Sequence, residues 1–377
     1  MRTVRDIKIL ENIPVLVRGA LNVPVAEGKV VNSFRLRKAL PTIQYLQERR
    51  AKVVLIGHIG EKGTETLEPV YEAMKEFIPD LRFCRVSIGV EARAAVRELP
   101  AGEVLMLENL RRNAGETKND KAFALALAEL ADVFVEDSFD VCHRVHASVV
   151  GVPEHLPSYA GLQVEEEVRE LTKALKPSHP SIAIIGGAKF GTKEPVLKKL
   201  LTSYDRVFVG GALGNDFVQA AGHSVGKSLV SGADAKAIKA LLGNRKLAIP
   251  IDSVAGPVGA TRDSGHEVGL DALQSDEMIL DDGPQTVIML TGLIQKSKTV
   301  LWNGPLGNYE NGFTDATEGV AKAIAESGTH SILGGGDTVA AVEKLGISDK
   351  FSFISTGGGA MLDFLAQGTL PGLAALK

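Results

Sequence analysis

Short apolar runs, each closing on a glycine or a polar residue, alternate with helix-period patterns along almost the whole chain, and this alternation constrains the fold more than any other feature. The runs fall at residues 15–17, 53–56, 104–107, 133–135, 182–185, 207–209, 247–251, 300–302, 332–333 and 351–354. Helical patterns follow most of them, as at 35–47, 121–130, 196–201 and 318–325. Strands that alternate with helices build parallel sheets covered by helices on both faces. In such sheets ligands bind beyond the carboxyl ends of the strands. The functional loops are therefore expected just after each apolar run.

At 377 residues the chain exceeds one typical core and fits two domains. The stretch GLQVEEEVRELTKALKPSHP (161–180) reads as a charged helix stopped by two prolines, and it separates two halves of different character. Residues 1–159 hold 14 arginines and residues 160–377 hold 4, whereas the second half is rich in glycine and lysine. Arginine offers a planar fork suited to carboxylate and phosphate. Arg49, Arg50, Arg93 and Arg97 lie on helical patterns and read as solvated; Arg18, Arg35, Arg111 and Arg144 stand at or near element ends. The segment VRGALNVP (17–24) closes an apolar run with a cation and an amide, which suits a loop opening onto an anion.

Composition excludes several classes. A net charge of −4 with no basic stripe argues against nucleic acid as a partner. No apolar run reaches the ~18 residues of a membrane span. The start, MRTVRDIKIL, lacks the apolar core of a signal peptide, so the expectation is a cytoplasmic protein with no membrane partner. Two cysteines, Cys84 and Cys142, give neither a disulfide framework nor a metal cluster. Cys142 adjoins His143, but chain neighbours point apart and do not make a nucleophile–base pair.

Four apolar runs of the second half end in glycines: AIIGGAK (183–189), FVGGALGN (208–215), ILGGGDT (332–338) and ISTGGGA (354–360). Glycines there let backbone approach a ligand, and a following helix N-terminus offers free N–H groups to anions. Four such loops in one sheet point to a nucleotide or polyphosphate cleft. Lys189 and Lys193 are four apart, hence on one helix face. Asp337 stands where a carboxylate can hold Mg²⁺ on a nucleotide phosphate, and Glu310 where one could accept ribose hydroxyls. AGHSVGKS (221–228) misses P-loop spacing by one residue and has no strand before it, and no glycine loop completes the dinucleotide fingerprint.

These residues carry a resemblance to phosphoglycerate kinases over essentially the whole length. The matching stretches run in family order: LNVP (21–24), ALPTI (39–43), ENLR (108–111), HRVHAS (143–148), GGAK (186–189), GKSL (226–229), WNGP (302–305), GGGDT (334–338) and STGGGA (355–360). The resemblance implies two doubly wound, Rossmann-like α/β lobes: 1–160 with about 366–377 for phosphoglycerate and 178–365 for nucleotide, joined by an interdomain helix over 161–177. It implies a monomer whose lobes close by hinge bending. The implied reaction is reversible phosphoryl transfer between 1,3-bisphosphoglycerate and MgADP, giving 3-phosphoglycerate and MgATP. By matching position, Asn22, Arg35, His58, Arg111 and Arg144 would bind the acceptor. Gly187, Lys193, Asn303, Pro305, Glu310, Gly335, Gly336, Asp337 and Thr338 would bind the nucleotide, with Asp337 on the metal. Arg35, Lys189 and Lys193 would face the transferring phosphoryl group, whose in-line passage needs alignment and charge cancellation more than covalent help.

The chain departs from the family pattern in four places. The acidic residue two positions before Asn22 is Ala20. The family's HLGR reads His58-Ile59-Gly60-Glu61, so a phosphate-binding arginine has become a glutamate. FGTAHR reads Phe139-Asp140-Val141-Cys142-His143-Arg144, which adds a negative charge. GGAKVSDK reads GGAKFGTK, with Thr192 in place of an aspartate and still able to cap a helix. Three of the four lie on the acceptor side, where each broken charged contact costs about 1.5–3 kcal/mol. Arg112 and Arg37 are the candidate compensations. Two further readings stay open: the same kinase chemistry on another carboxylate or phosphorylated acid, and a catalytically weakened relative that acts by binding nucleotide.

Overall fold

The computed structural model describes residues 1–376. The chain divides into two units: residues 1–169 with those from Thr369 onward, and residues 170–368.

Unit 1 contains β1 (Pro14–Gly19), a short hairpin of β2 (Val25–Ala26) and β3 (Lys29–Val30), β4 (Lys52–Ile56), β5 (Arg82–Cys84), β6 (Val104–Leu107), β7 (Val133–Asp137) and β8 (Ser158–Ala160). Helices α1 (Phe34–Glu48), α2 (Glu68–Met74), α3 (Val90–Glu98) and α4 (Lys121–Ala128) come between them, and α5 (Leu162–Ala174) follows. The unit boundary, after Arg169, falls inside α5. Hairpin aside, six parallel strands lie in the order β5-β6-β4-β1-β7-β8. Because this sheet is covered on both faces, its central strands read as unbroken Val/Ile/Leu runs rather than alternating ones. Val15, Val17, Val53, Leu55, Val104 and Met106 pack with Leu36, Ile43 and Leu46 of α1 in one core. Each such side chain contributes about 1.5–3 kcal/mol when fully buried. The chain leaves β1 toward β4 on one side and returns to β7 on the other, so the crevice of this sheet opens at the carboxyl ends of β1, β4 and β7.

Unit 2 contains β9 (Ser181–Ile185), α6 (Phe190–Ser203), β10 (Arg206–Val209), α7 (Gly211–Ala220), α8 (Ala235–Leu242), β11 (Leu247–Ala248), β12 (Asp252–Pro257), β13 (His266–Gly269) and β14 (Glu277–Asp282). After these come α9 (Pro284–Ile294), β15 (Thr299–Asn303), α10 (Asp315–Ser327), β16 (His330–Gly334), α11 (Gly336–Lys344), β17 (Phe353–Ile354) and α12 (Gly358–Gln367). Its parallel sheet runs β11-β10-β9-β15-β16-β17, with the reversal between β9 and β15. The final helix, α13 (Pro371–Ala375), packs on unit 1, where Gly372 N donates to Cys142 O at 2.8 Å.

The strand expected over 247–251 stops at Ala248, short of Pro250, whose ring removes a ladder donor. The one expected over 351–354 keeps only its last two residues. The antiparallel sheet β13-β12-β14 has no counterpart among the sequence expectations. β13 (HEVG) is largely exposed and β12 (DSVAGP) is mostly small and polar, whereas β14 carries the three-residue apolar run Met278–Leu280, which is not among the expected strands.

Candidate active site

In unit 2 the reversal point brings three loops together. Gly186 N donates to Asn303 O at 2.8 Å and Gly187 N to Pro305 O at 3.1 Å, which pins the loop after β9 to the loop after β15. A Cβ on Gly186 would run into the carbonyl oxygens of Gly304 and Pro305, so this approach requires glycine. The loop after β16 joins through Thr338, whose Oγ1 accepts from Gly304 N at 3.1 Å. Thr338 is thereby turned inward and fully buried, holding two loops together with its hydroxyl.

Three helices begin at this point: α6 with Lys189 as its N-cap, α11 with Gly335 (φ 97°) and α12 with Gly357. None has a side-chain cap. All three open on one recess of about 370 Å³, lined by Lys189 and Thr192, by Gly335 to Asp337, and by Gly358 and Gly359, with Lys193 and Asn303 in its wall. Uncapped first-turn N–H groups and the positive ends of helix dipoles make such a place attractive to anions. A second recess of about 380 Å³ adjoins it and shares Gly187, Ala188, Pro305 and Asp337. Its wall includes Leu229, Met278, Leu280 and Leu306, and it also takes in Glu310, which is exposed. The pair thus joins an apolar slot to a cationic one.

Lys189 is exposed, with extended backbone, and precedes the helix. Lys193 lies in the first turn and folds inward, Nζ donating to Gly186 O at 2.6 Å. Lys189 therefore stands just before the helix rather than on its face, and the two lysines border one recess, Lys189 exposed and Lys193 anchored. Burial lowers the Lys193 pKa to about 8. Asn303 is buried, with Nδ2 3.5 Å from both Gly358 O and Met361 Sδ. Thr192 does not cap α6; its hydroxyl donates back to Lys189 O at 3.0 Å. Asp337 is exposed at the start of α11 and borders both recesses. Among the described residues no three His, Cys, Asp or Glu groups come together as a metal cage. One carboxylate beside a phosphate-sized recess fits Mg²⁺, which takes most of its ligands from water and phosphate. The 221–228 stretch is no phosphate cradle: α7 precedes it, and Lys227 N donates to Glu277 O at 2.6 Å.

In unit 1 the expected acceptor residues gather at the carboxyl edge of the sheet. Asn22 Oδ1 accepts from Gly60 N at 3.1 Å, and its carbonyl accepts from Arg35 Nη1 at 2.7 Å. Arg111 Nη1 donates to Gly60 O at 2.5 Å. Arg144 is exposed. His58 is buried and held neutral: desolvation first, then Arg18 and Arg111, lower its pKa to about 2. Asp140 stands 3.7 Å from Arg35 Nη1 and accepts from Ser138 Oγ at 2.5 Å. Glu61 is exposed, with its charge in reach of Arg111. The two candidate compensations are otherwise engaged. Arg112 Nη1 pairs with Glu108 at 3.0 Å, and Arg37 Nη1 donates to Ser33 Oγ at 2.6 Å.

Sequence reasoning missed two features. The apolar slot uses β14 and Tyr309, which lie outside the glycine loops that drew attention. Arg18 does not open onto an anion from outside; it is 1% exposed and set among Ser148, His58 and Glu116. Its place at a strand end was legible, but its partners lie 40 to 130 residues away. Cys142 is buried, and desolvation pushes its thiol well above the usual range, which makes it inert.

A family model described as phosphoglycerate kinase matches residues 4–368. A phosphoglycerate kinase of Maricaulis maris is 43% identical over 379 residues, covering 96% of this chain and 94% of the relative. One of Moorella thermoacetica is 42% identical, covering 99% and 98%. The crystal structure of the phosphoglycerate kinase from Pyrococcus horikoshii superposes with a TM-score of 0.90 at 32% identity, covering 100% of this chain and 98% of that one. No helix among the described residues is long and apolar enough to cross a membrane.

Proposed function

The chain belongs to the phosphoglycerate kinase family, and from that premise we propose how its residues divide the work. The activity is transfer of a phosphoryl group between ATP and the carboxyl group of 3-phosphoglycerate, a glycolytic reaction. Members of the family use ADP and ATP.

One observation carries the assignment of roles: three uncapped helix N-termini and two lysines around a single recess, adjoining an apolar slot. In our reading the slot takes the nucleoside, with Glu310 on the ribose, and the cationic recess takes the phosphates. Gly187, Asn303 and Pro305 give close approach to the phosphates, and Gly335 and Gly336 add N–H groups at the start of α11. Mg²⁺, when bound through the nucleotide, would cancel phosphate charge beside Asp337. Lys193, already anchored, holds the phosphate chain in register. Lys189, unpaired and exposed, follows the phosphoryl group as charge spreads over its equatorial oxygens, and Arg35 meets the same group from the acceptor side.

Asn22, Arg35, His58, Arg111 and Arg144 hold the acceptor. Arg35 and Arg111 are already oriented by Asn22 O and Gly60 O, so little side-chain entropy is lost on binding. Transfer requires acceptor and nucleotide to meet with water excluded, so the reading includes a hinge-bending closure. It also takes the protein as a cytoplasmic monomer, on the strength of the family resemblance; light scattering in solution tests the monomer.

The experiment is calorimetric titration of ADP into wild type and Asp337→Asn, with Mg²⁺ and with chelator. Binding should be stronger with Mg²⁺ in the wild type, and that gain should shrink in the variant. Equal Mg²⁺ gains in both proteins would remove Asp337 from the metal role.

A further inference from the structure

We propose that Arg18 is a positioning residue for the acceptor: by donating from Nη2 to His58 Nδ1 it fixes that ring as the Nε2–H tautomer and makes His58 a neutral hydrogen-bond donor to the anionic substrate. The inference rests on the reading of His58 as an acceptor-site residue.

The geometry leaves one assignment. Arg18 Nη2 lies 3.4 Å from His58 Nδ1. A guanidinium has only donors, so Nδ1 must accept and carries no proton. The proton of the neutral ring then sits on Nε2, which pairs with nothing among the described residues. Arg18 cannot swing away to relax this. It is 1% exposed, its Nε donates to Ser148 Oγ at 2.9 Å, and its Nη2 stands 4.0 Å from Glu116 Oε1. Ser148 is fixed in turn, donating from Oγ to Glu116 Oε1 at 2.6 Å and from its backbone N–H to Oε2 at 3.0 Å. A buried chain of Glu116, Ser148 and Arg18 therefore orients one imidazole.

The groups that face His58 all disfavour its charged form. Arg18 belongs to β1, Arg111 follows β6, Arg35 lies on α1, and His146 is itself lowered to about 4 by burial and by Arg18, Arg111 and Arg144. Protonating Nδ1 would set one N–H against another. His58 thus offers the substrate an unchanging donor, while Arg35, Arg111 and Arg144 supply the charge. Which nitrogen of a ring bears the proton is set by what the other nitrogen bonds to, and here that partner is Arg18.

The test is ¹⁵N NMR of the histidines in the full chain, with kinetics on variants. In wild type, His58 should show a protonated Nε2 and a bare Nδ1, unchanged between about pH 5.5 and 8.5. The Arg18→Met/Glu116→Gln double variant keeps the buried site neutral. In it His58 should become a tautomer mixture that titrates, and the KM for 3-phosphoglycerate should rise about tenfold or more and depend on pH. The KM for ATP should stay put. A merely structural Arg18 would lower the thermal midpoint without changing the ring. A wild-type His58 protonated on Nδ1, or titrating near its ordinary value, overturns the lock even when His58→Gln raises the acceptor KM. If His58→Gln leaves that KM unchanged, the acceptor-site reading fails and takes the proposal with it, whatever the tautomer.

Discussion

Lys193 Nζ donates to the carbonyl oxygen of Gly186 at 2.6 Å, so the buried lysine at the start of α6 is held by the glycine loop that precedes its own helix. That tie keeps a cation at the recess before any phosphate arrives, and desolvation makes it costly. Burial lowers the pKa from 10.5 to about 8. Below about pH 8 the folded state carries the full cost of the charge. Between about 8 and 10.5 the folded lysine has lost a proton that the unfolded chain keeps, so this group's contribution improves as pH rises. Lys193→Met should therefore raise the thermal midpoint at pH 7, by the equivalent of at most about 3 kcal/mol, and raise it much less near pH 10.5. Activity should be lost at both. Thermal unfolding at the two pH values checks the sign.

Glu136 produces the opposite slope in unit 1. It pairs in register with Arg18 across β7 and β1 and is fully buried, with Oε1 accepting from Ser138 N at 2.9 Å and Oε2 without a partner. Burial, against the pull of Arg18, lifts its pKa from 4.5 to about 8. Across that window the folded state holds a proton that the unfolded chain releases, so stability falls as pH rises. Glu136→Gln should be close to neutral at about pH 5 and stabilising by about 1–3 kcal/mol at about pH 9. Calorimetric unfolding at both pH values decides it; an equal effect at the two would contradict the burial argument.

The acceptor edge carries two carboxylates that oppose an anionic substrate. Asp140 sits 3.7 Å from Arg35 Nη1 and competes for it, while Glu61 is exposed near Arg111. Asp140→Asn and Glu61→Arg should each lower the KM for 3-phosphoglycerate, by about 3- to 10-fold at low salt. The Glu61 gain should fade at high ionic strength because that site is open to solvent. Steady-state kinetics across a salt series measures both.

Much of this was legible in the chain. Val15 to Val17, Val53 to Ile56 and Val300 to Trp302 sit in strands buried on both faces, so their hydrophobicity is continuous and visible. The glycine loops were legible for the same local reason: backbone packs on backbone at Gly186 and Gly304, and only glycine fits. Contacts across long separations were not. That Arg112 turns to Glu108, that Thr192 folds back on Lys189, and that Arg18 meets Ser148 depend on where side chains end up, which spacing does not encode. In the antiparallel sheet β13-β12-β14, HEVG holds almost no apolar signal because it is largely exposed; the slot wall lies on β14, whose short apolar run Met278–Leu280 does not by itself reveal its pairing with β12, a strand distant in the chain.

The most direct test of the account is a coupled assay with MgATP and 3-phosphoglycerate on wild type and Lys189→Ala side by side. Lys189 is exposed and borders the recess, so its loss should leave folding intact. The account predicts turnover by the wild type and a kcat lower by about 10²–10³ in the variant, with ADP affinity little changed. A variant that turns over as fast as the wild type would contradict the assignment of Lys189 to the transferring phosphoryl group.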